Sequence, residues 1–516
     1  MILGDPSQAT GASAPGGRAT LDDVFRRAAL RRPDAVALAD PPDRETFTDD
    51  APRRLTYAEA DRMISAIAGR LRRLGLQTDS IVGIQLPNTV ESVLALLGVL
   101  RAGMIAAPLP LLWRRSETVH ALGRLGAKIL ITCGHVGSLD HADLAMKAAA
   151  DIFPIRYVCA FGRNLPDGVV PFDDLYTVDK LDPLPPLERE RRGNPAAHLA
   201  VITWDATTEG LVPVARNHME IIAGGLAAFL ESRFEQDAIF LSGLACSSFA
   251  GLALTLVPWL LTGGTLALHQ PFDLDVFAAQ LKEQRCNSLV LPGPVVSRLA
   301  DAGYFAGAND LTTVMALWRA PERMIGSAAW RMKNCAFIDI VTFGEIGLIA
   351  TRRGASGKPA PIAFGVITAP RGAPGAILVG ELTRTDTGTI ALRSSMVPRH
   401  PFPPGAERGA FPYFKAVNGV VDTGYTCSVD RDTRTMVVTG PPAGIVGVGG
   451  YRFVLRELQD LLAGIDGGGR IAALPDPLSG QRLSGSAANV EIVQAALTGR
   501  GVNPLVVGAF GNARSP

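Results

Sequence analysis

The chain has 516 residues, 47% hydrophobic and 19% charged, a composition that excludes a disordered or fibrous protein and leaves room for more than one domain. Fifty Lys and Arg against 49 Asp and Glu leave a net charge of +1, so the charge points to neither nucleic acid nor an anionic membrane. Six scattered cysteines and seven unclustered histidines give neither a disulfide frame nor a zinc spacing, and no apolar stretch is long enough to cross a bilayer, so the expectation is a cytoplasmic protein without a membrane span.

Residues 1–19 are rich in Gly, Ala, Ser and Pro and are expected to form a flexible N-terminus. Thr20-Leu21-Asp22-Asp23 is a capping box with Asp in the place of Glu, and Phe25, Ala28 and Leu30 continue it as a helix. Residues 35–38 read as a strand. Met63, Ile64, Ile67, Leu71 and Leu74 keep helical spacing from Ala58 to a stop at Gly75. A buried strand over 81–86 follows, then Asn88 as the cap of a helix ending near Arg101, a strand over 105–109, a helix over 117–125 and a strand over 128–131. Strands alternating with helices predict a parallel, doubly wound sheet. The Pro-rich and charged run 179–194 predicts a linker. Next comes Val201 to His218, VITWDATTEGLVPVARNH, read as a strand, a short polar turn and a helix from about Asn217. Backbone N–H groups and a helix N-terminus cradle phosphates in that layout. Further strands are expected at 238–241 and 288–291, with a helix over 276–284 between them and another near 490–497.

Several motifs fall in the order and spacing of one family. Leu55-Thr56-Tyr57, Val82-Gly83-Ile84-Gln85-Leu86-Pro87-Asn88, Leu100-Arg101-Ala102-Gly103, Leu260-Leu261-Thr262-Gly263-Gly264-Thr265 and Gly380-Glu381-Leu382 resemble the scaffold of the AMP-forming adenylating superfamily, which includes the acyl-CoA synthetases. The resemblance covers about residues 20–505. It implies an α/β fold: a large N-terminal domain over 20–440, built from two doubly wound subdomains and a small distorted β-barrel, and a small α+β lid over 441–516. It also implies ATP, Mg²⁺ and CoA as cofactors.

At the positions that would meet the nucleotide the chain departs from the family. Thr207, Thr208, Val214 and His218 match the phosphate loop, but Asp205-Ala206 stand for Ser-Gly, Glu209 for Gly, Val212 for Lys and Pro213 for Gly. Two carboxylates beside a polyphosphate would each repel it by roughly 3 kcal/mol at about 5 Å and an effective dielectric near 20. Ser247-Ser248 replace the aromatic and histidine of the acyl pocket, with Gly251 kept. Trp318-Arg319 replace glycines before Ala320-Pro321 at the adenine wall. Phe343-Gly344-Glu345 keep the outline of the next signature, but Ile346-Gly347 replace its Thr-Glu pair, and Tyr425 replaces the ribose-binding Asp. No lysine follows Lys415, so the lid lysine of the family has no counterpart. The residues expected to contact a nucleotide are thus Thr207, Thr208, Ala320, Pro321, Phe343, Gly344, Glu345 and Tyr425, with Ser248, Gly251 and Trp318 at an acyl pocket. No catalytic residue and no metal ligand is assigned. The resulting expectation is a binder of an acyl-type or related carboxylate or thioester ligand, with ATP binding weak or absent and homo- or hetero-oligomers open. A working acid–thiol ligase with a rebuilt site, or a non-catalytic partner of an active homologue, is the alternative.

Overall fold

The computed structural model describes residues 17–177, 183–187, 192–399, 401–409, 412–466 and 468–511. The expected flexible terminus, except for residues 17–19, and the charged run of the linker at 188–191 lie outside the described residues.

The first helix, Leu21–Arg31, starts where the sequence places it: the Thr20 hydroxyl accepts from the Asp23 N–H at 3.1 Å and the Asp23 carboxylate accepts from the Thr20 N–H at 2.9 Å. A second box, Thr56 with Glu59, opens helix Tyr57–Arg73. Phe25 and Tyr57 from these helices lie 5.7 Å apart and meet Trp259 at 5.9 and 6.1 Å between ring centroids. The Tyr57 hydroxyl and the Trp259 indole both donate to the Gly264 carbonyl, at 2.9 and 3.0 Å, which satisfies the polar tips of otherwise buried rings.

Two mostly parallel sheets carry the large N-terminal part. One has seven strands, in the spatial order Gly210–Asn217, Leu199–Thr207, Ile105–Pro108, Ile81–Ile84, Ile129–Cys133, Tyr157–Phe161, Val170–Pro171. The other has eight, running from Gly347–Arg352 and Ala336–Phe343 through Thr313–Trp318, Ser288–Pro292, Ile239–Ser242, Thr265–Leu268 and Val36–Ala39 to Arg54–Thr56. Helix Val90–Arg101 is buried nearly all round between them. It is not capped by Asn88. Thr89 is the N-cap and makes no side-chain capping bond, and the Asn88 amide is turned across to the second sheet, donating to the Ser242 and His269 carbonyls at 3.1 and 3.3 Å.

The expected barrel is instead an open antiparallel sheet of six strands, bounded by Ile362–Ala363 at one edge and Gly365–Ala369 at the other. These two edge strands pair with different neighbours, so no ladder closes the sheet among the described residues. Its last strand by sequence, Thr435–Gly440, hands the chain through residues 441–444 to a four-stranded sheet that starts with Ile445–Val448. Helices Leu455–Ala463, Val490–Gly499 and Pro504–Gly508 share one small core with that sheet. Among the described residues no helix is long and apolar enough to cross a membrane.

One buried histidine makes the fold acid-sensitive. His141 opens helix His141–Asp151, is 2% exposed, and its Nδ1 has no hydrogen-bond partner. Burial holds its pKa down to about 4. The unfolded chain binds a proton there near pH 6.5 and the fold does not, so the contribution is complete above pH 6.5 and is lost as pH falls towards 4. Between pH 7 and 5 the loss is about 2 kcal/mol. Urea denaturation at both pH values is expected to show this component in the wild type and not in His141→Gln.

Candidate functional site

The stretch read as strand, turn and helix is a β-hairpin. Strand Leu199–Thr207 turns at Thr208-Glu209 and returns as Gly210–Asn217, with Asp205 paired directly to Val212. Only then does helix His218–Ser232 begin. The return strand reads as polar because of Pro213 and Arg216, yet Val212 and Val214 are 1% and 0% exposed and Arg216 is itself buried. The Arg216 guanidinium lies 3.9 Å over the Phe249 ring and donates to the carbonyls of Glu345 and Ile346, while its Nε reaches that of Met396. Burial brings its pKa down to about 10. Residues 199–217 are therefore a two-stranded antiparallel ladder with a tight turn at its tip. The helix start is capped as well: the Asn217 side chain accepts from the Glu220 N–H and the Glu220 carboxylate accepts from the Asn217 N–H, both at 2.9 Å. Burial raises the Glu220 pKa to about 7.

Beside the hairpin lies a cavity of about 80 Å³, between the N-terminal sheets and the four-stranded domain. Trp113, Trp204, Arg319, Tyr425, Tyr451 and Arg452 supply much of its wall. At its edge the Asp205 carboxylate, 4% exposed, takes an ion pair from Arg452 of strand Tyr451–Val454. The same carboxylate accepts from the backbone N–H groups of Glu345 and Ala206, at 2.9 and 2.8 Å. Gly344 is required here: its φ is +56°, and a Cβ would sit 2.0 Å from the Arg452 guanidinium and 2.5 Å from the Asp205 carboxylate. The Glu345 carboxylate accepts from the Phe249 N–H at 2.6 Å. Burial, then the charge of Asp205, pushes its pKa up. Nearby the Leu112 N–H donates to the Tyr451 hydroxyl at 3.1 Å, and farther out the Asn503 N–H donates to Glu117 at 2.9 Å, so the small domain is docked at more than one point.

Of the residues singled out from sequence, Ala320, Gly344, Glu345 and Tyr425 meet at this cavity. Phe343 stands behind them, edge-on to Tyr425 with centroids 5.5 Å apart. Pro321 is buried and starts a short turn, Pro321–Arg323. Thr207 and Thr208 are at the hairpin tip, where the Thr207 hydroxyl donates to the Gly210 carbonyl at 3.1 Å and Thr208 is exposed. Glu209 pairs there with Lys415 at 2.6 Å, both about half exposed. Ser248 caps the short helix Phe249–Gly251 by accepting from the Gly251 N–H at 3.1 Å, and Gly251 lies where a Cβ would strike the Ala245 carbonyl. Trp318 does not line the cavity. It is 3% exposed, packs on Gly293 and donates to Asp339 at 2.8 Å. His218, a match to the family loop, accepts from the Leu21 N–H at 3.2 Å and so holds the first helix. The sequence reading missed Trp113, Trp204, Tyr451 and Arg452. Arg452 had no local signal, because its partner lies 247 residues earlier in the chain.

The hairpin places a buried, already paired carboxylate beside the cavity, whose volume is about 80 Å³. Among the described residues no group of three or more His, Cys, Asp or Glu is placed to hold a metal ion.

Two packed α/β sheets, a small antiparallel sheet and a docked α+β domain with a cavity at the junction define an adenylation-domain architecture, and solved structures share it. The amide bond synthetase McbA of Marinactinospora thermotolerans superposes with a TM-score of 0.71 at 18% identity, over 95% of this chain and 94% of that one. Apo MbtA of Mycobacterium smegmatis gives a TM-score of 0.63 at 20% identity, over 95% and 90%. A profile of the AMP-binding enzyme family matches residues 25–344, more than half of the chain, and the protein belongs to that family. The salicyl-AMP ligase / salicyl-S-ArCP synthetase of Mycobacterium tuberculosis is 28% identical over 253 residues, 49% of this chain and 42% of that protein. The medium-chain fatty-acid–CoA ligase of Escherichia coli is 23% identical over 293 residues, 54% and 47%. The matched stretches span less than half the length of these two relatives.

Proposed function

We propose that this member of the AMP-binding enzyme family binds a small acyl-type or carboxylate ligand at the cavity and does not carry out ATP-dependent adenylation. The observation that carries this reading is the Asp205–Arg452 pair: the hairpin supplies its own anion where a nucleotide's phosphates would need cations. Adenylation requires charge neutralisation on the triphosphate, a metal ligand and a positioned cation acting together, and such groups are not additive. In this reading residues 20–440 form the binding body and 441–516 the lid.

Two measurements test it. A ligand present at 100-fold over its Kd stabilises the native state by about 2.7 kcal/mol, and millimolar Mg-ATP is expected to give no such shift in the melting temperature. Pyrophosphate release with a panel of fatty, aryl and dicarboxylic acids is expected to stay at background. A clear ATP shift, or substrate-dependent pyrophosphate release that survives further purification, would reject this reading. Such a result would favour the second one, an active acid ligase with a rebuilt site, which the similarity to a salicyl-AMP ligase supports. Val212→Lys is not expected to restore activity. It would place the amine directly across from Asp205 at a position that is 1% exposed.

A further inference from the structure

The small C-terminal domain has a core of its own, drawn from residues between Val446 and Phe510. Among the described residues few buried apolar side chains meet across its junction with the rest of the chain: Ala206 clusters with Ile445 and Val454, and Tyr451 packs against the group that holds Trp113 and Trp204. Polar contacts do more of the joining, at two separate places. At the hairpin, Arg452 reaches across to Asp205, and the Leu112 N–H donates to the Tyr451 hydroxyl at 3.1 Å. The other joint is at the start of helix Arg115–Leu125. The Ser116 N–H lies in the first turn, where no carbonyl of its own helix can reach it, and it donates to the Gly501 carbonyl at 3.0 Å. The Glu117 carboxylate takes one N–H from each side of the junction, from Arg114 at 3.1 Å and from Asn503 at 2.9 Å. Asn503 is fixed for this contact by its own helix, whose Leu505 N–H donates to its side chain at 3.0 Å.

We propose that the small domain is self-latched by an autoinhibitory contact: Asp205 on the hairpin and Glu117 on the helix hold it shut against the cavity without any ligand, and the two latches open together. A domain with its own core keeps its fold when it undocks, and parting this junction exposes few apolar groups. Opening as a unit therefore lies between local fraying and global unfolding in free energy. The ion pair exists only in the docked arrangement, so it stabilises that arrangement alone, and a charge-assisted bond of this kind is among the stronger contacts available at a junction. Tyr451 and Arg452 are part of the cavity wall, so parting Arg452 from Asp205 removes that wall and opens the cavity. The connector leaves room for the movement. Residues 441–444 link strand Thr435–Gly440 to strand Ile445–Val448, and at Gly444, with φ +73°, no atom lies within 4 Å of where a Cβ would stand. The latch is independent of what the cavity binds.

Hydrogen–deuterium exchange of the full chain without ligand, resolved to single amides, tests this. The Leu112, Ser116 and Asn503 N–H groups all donate across the junction. The Gln85 N–H, which donates to the Ile131 carbonyl at 2.8 Å within the seven-stranded sheet, is the reference. In wild type the three junction amides are expected to share one protection factor, at least about tenfold below that of Gln85. Asp205 contacts neither Ser116 nor Asn503, yet Asp205→Asn is expected to speed their exchange relative to Gln85 by at least about tenfold, and Arg452→Gln to do the same. Glu117→Ala is expected to speed exchange at Leu112 by a similar factor. Unlike protection factors at the three amides of wild type would show that the joints part separately. Protection equal to that of Gln85 would show that they part only on unfolding. Unchanged ratios in Asp205→Asn and Arg452→Gln would show that the ion pair is no latch. Each of these outcomes overturns the proposal, and the wild-type comparison decides even if a variant does not fold. A melting shift with ATP would reject the function proposed above and leave this inference standing.

Discussion

Asp205→Ala is expected to cost about 3 kcal/mol of unfolding free energy, the lower end of the range for breaking a buried ion pair by removing one partner. The lower end applies because the Arg452 side chain retains 19% exposure and can draw water to its charge. The substitution also leaves the Glu345 and Ala206 N–H groups without their acceptor. Arg452→Ala should cost as much or more, since it strands a carboxylate that is 4% exposed. In the double variant neither charge remains, so its loss should fall short of the summed single losses. Urea denaturation of the four proteins measures this, and additive losses would show that the two side chains are not coupled.

Asp339→Ala is expected to cost about 3–5 kcal/mol by the same rule, at a site with no solvent to help. Asp339 and Arg353 are 2% and 3% exposed, and the carboxylate receives the Arg353 Nε at 2.7 Å and Nη2 at 2.9 Å together with the Trp318 indole. Arg353 also reaches the Ala328 carbonyl and the Ser327 hydroxyl, both at 2.8 Å, and lies 4.0 Å from the Phe337 ring centroid. With the carboxylate gone, a guanidinium remains buried among neutral groups. Asp339→Leu combined with Arg353→Met, which removes both charges, should be less damaging than either change alone. Melting curves that rank the double variant below both singles would contradict this. The network also explains why Trp318 is unsuited to stacking on a ligand, since its indole is committed to Asp339.

Local chemistry made much of the fold legible in the sequence. The capping box at Thr20 and the buried runs at 81–84 and 129–133 appear within a residue or two of their expected places. What stayed hidden depended on partners distant in sequence. Asn88 resembles a helix cap until the second sheet offers it two carbonyls. The return strand of the hairpin resembles a loop because Arg216 looks solvated, and only the Glu345, Ile346 and Met396 carbonyls make its burial affordable. The open sheet of six strands resembles a barrel as long as only its strand content is read. At the site, the residues that depart from the family's motifs were visible one by one, but the ion pair that joins the hairpin to the small C-terminal domain was not.

That ion pair gives the protein a tethered competitor. A carboxylate fixed beside Arg452 acts on it at an effective concentration that a free ligand, short of the millimolar range, does not match. Any solute seeking that guanidinium must displace Asp205 first, and its apparent affinity falls by the fraction of time the pair is open. Raising ionic strength should do little to a contact this shielded. Arg319 has no such tenant among the described residues. The two arginines of one cavity therefore differ: one has its counter-ion supplied by the chain's own folding, and the other does not.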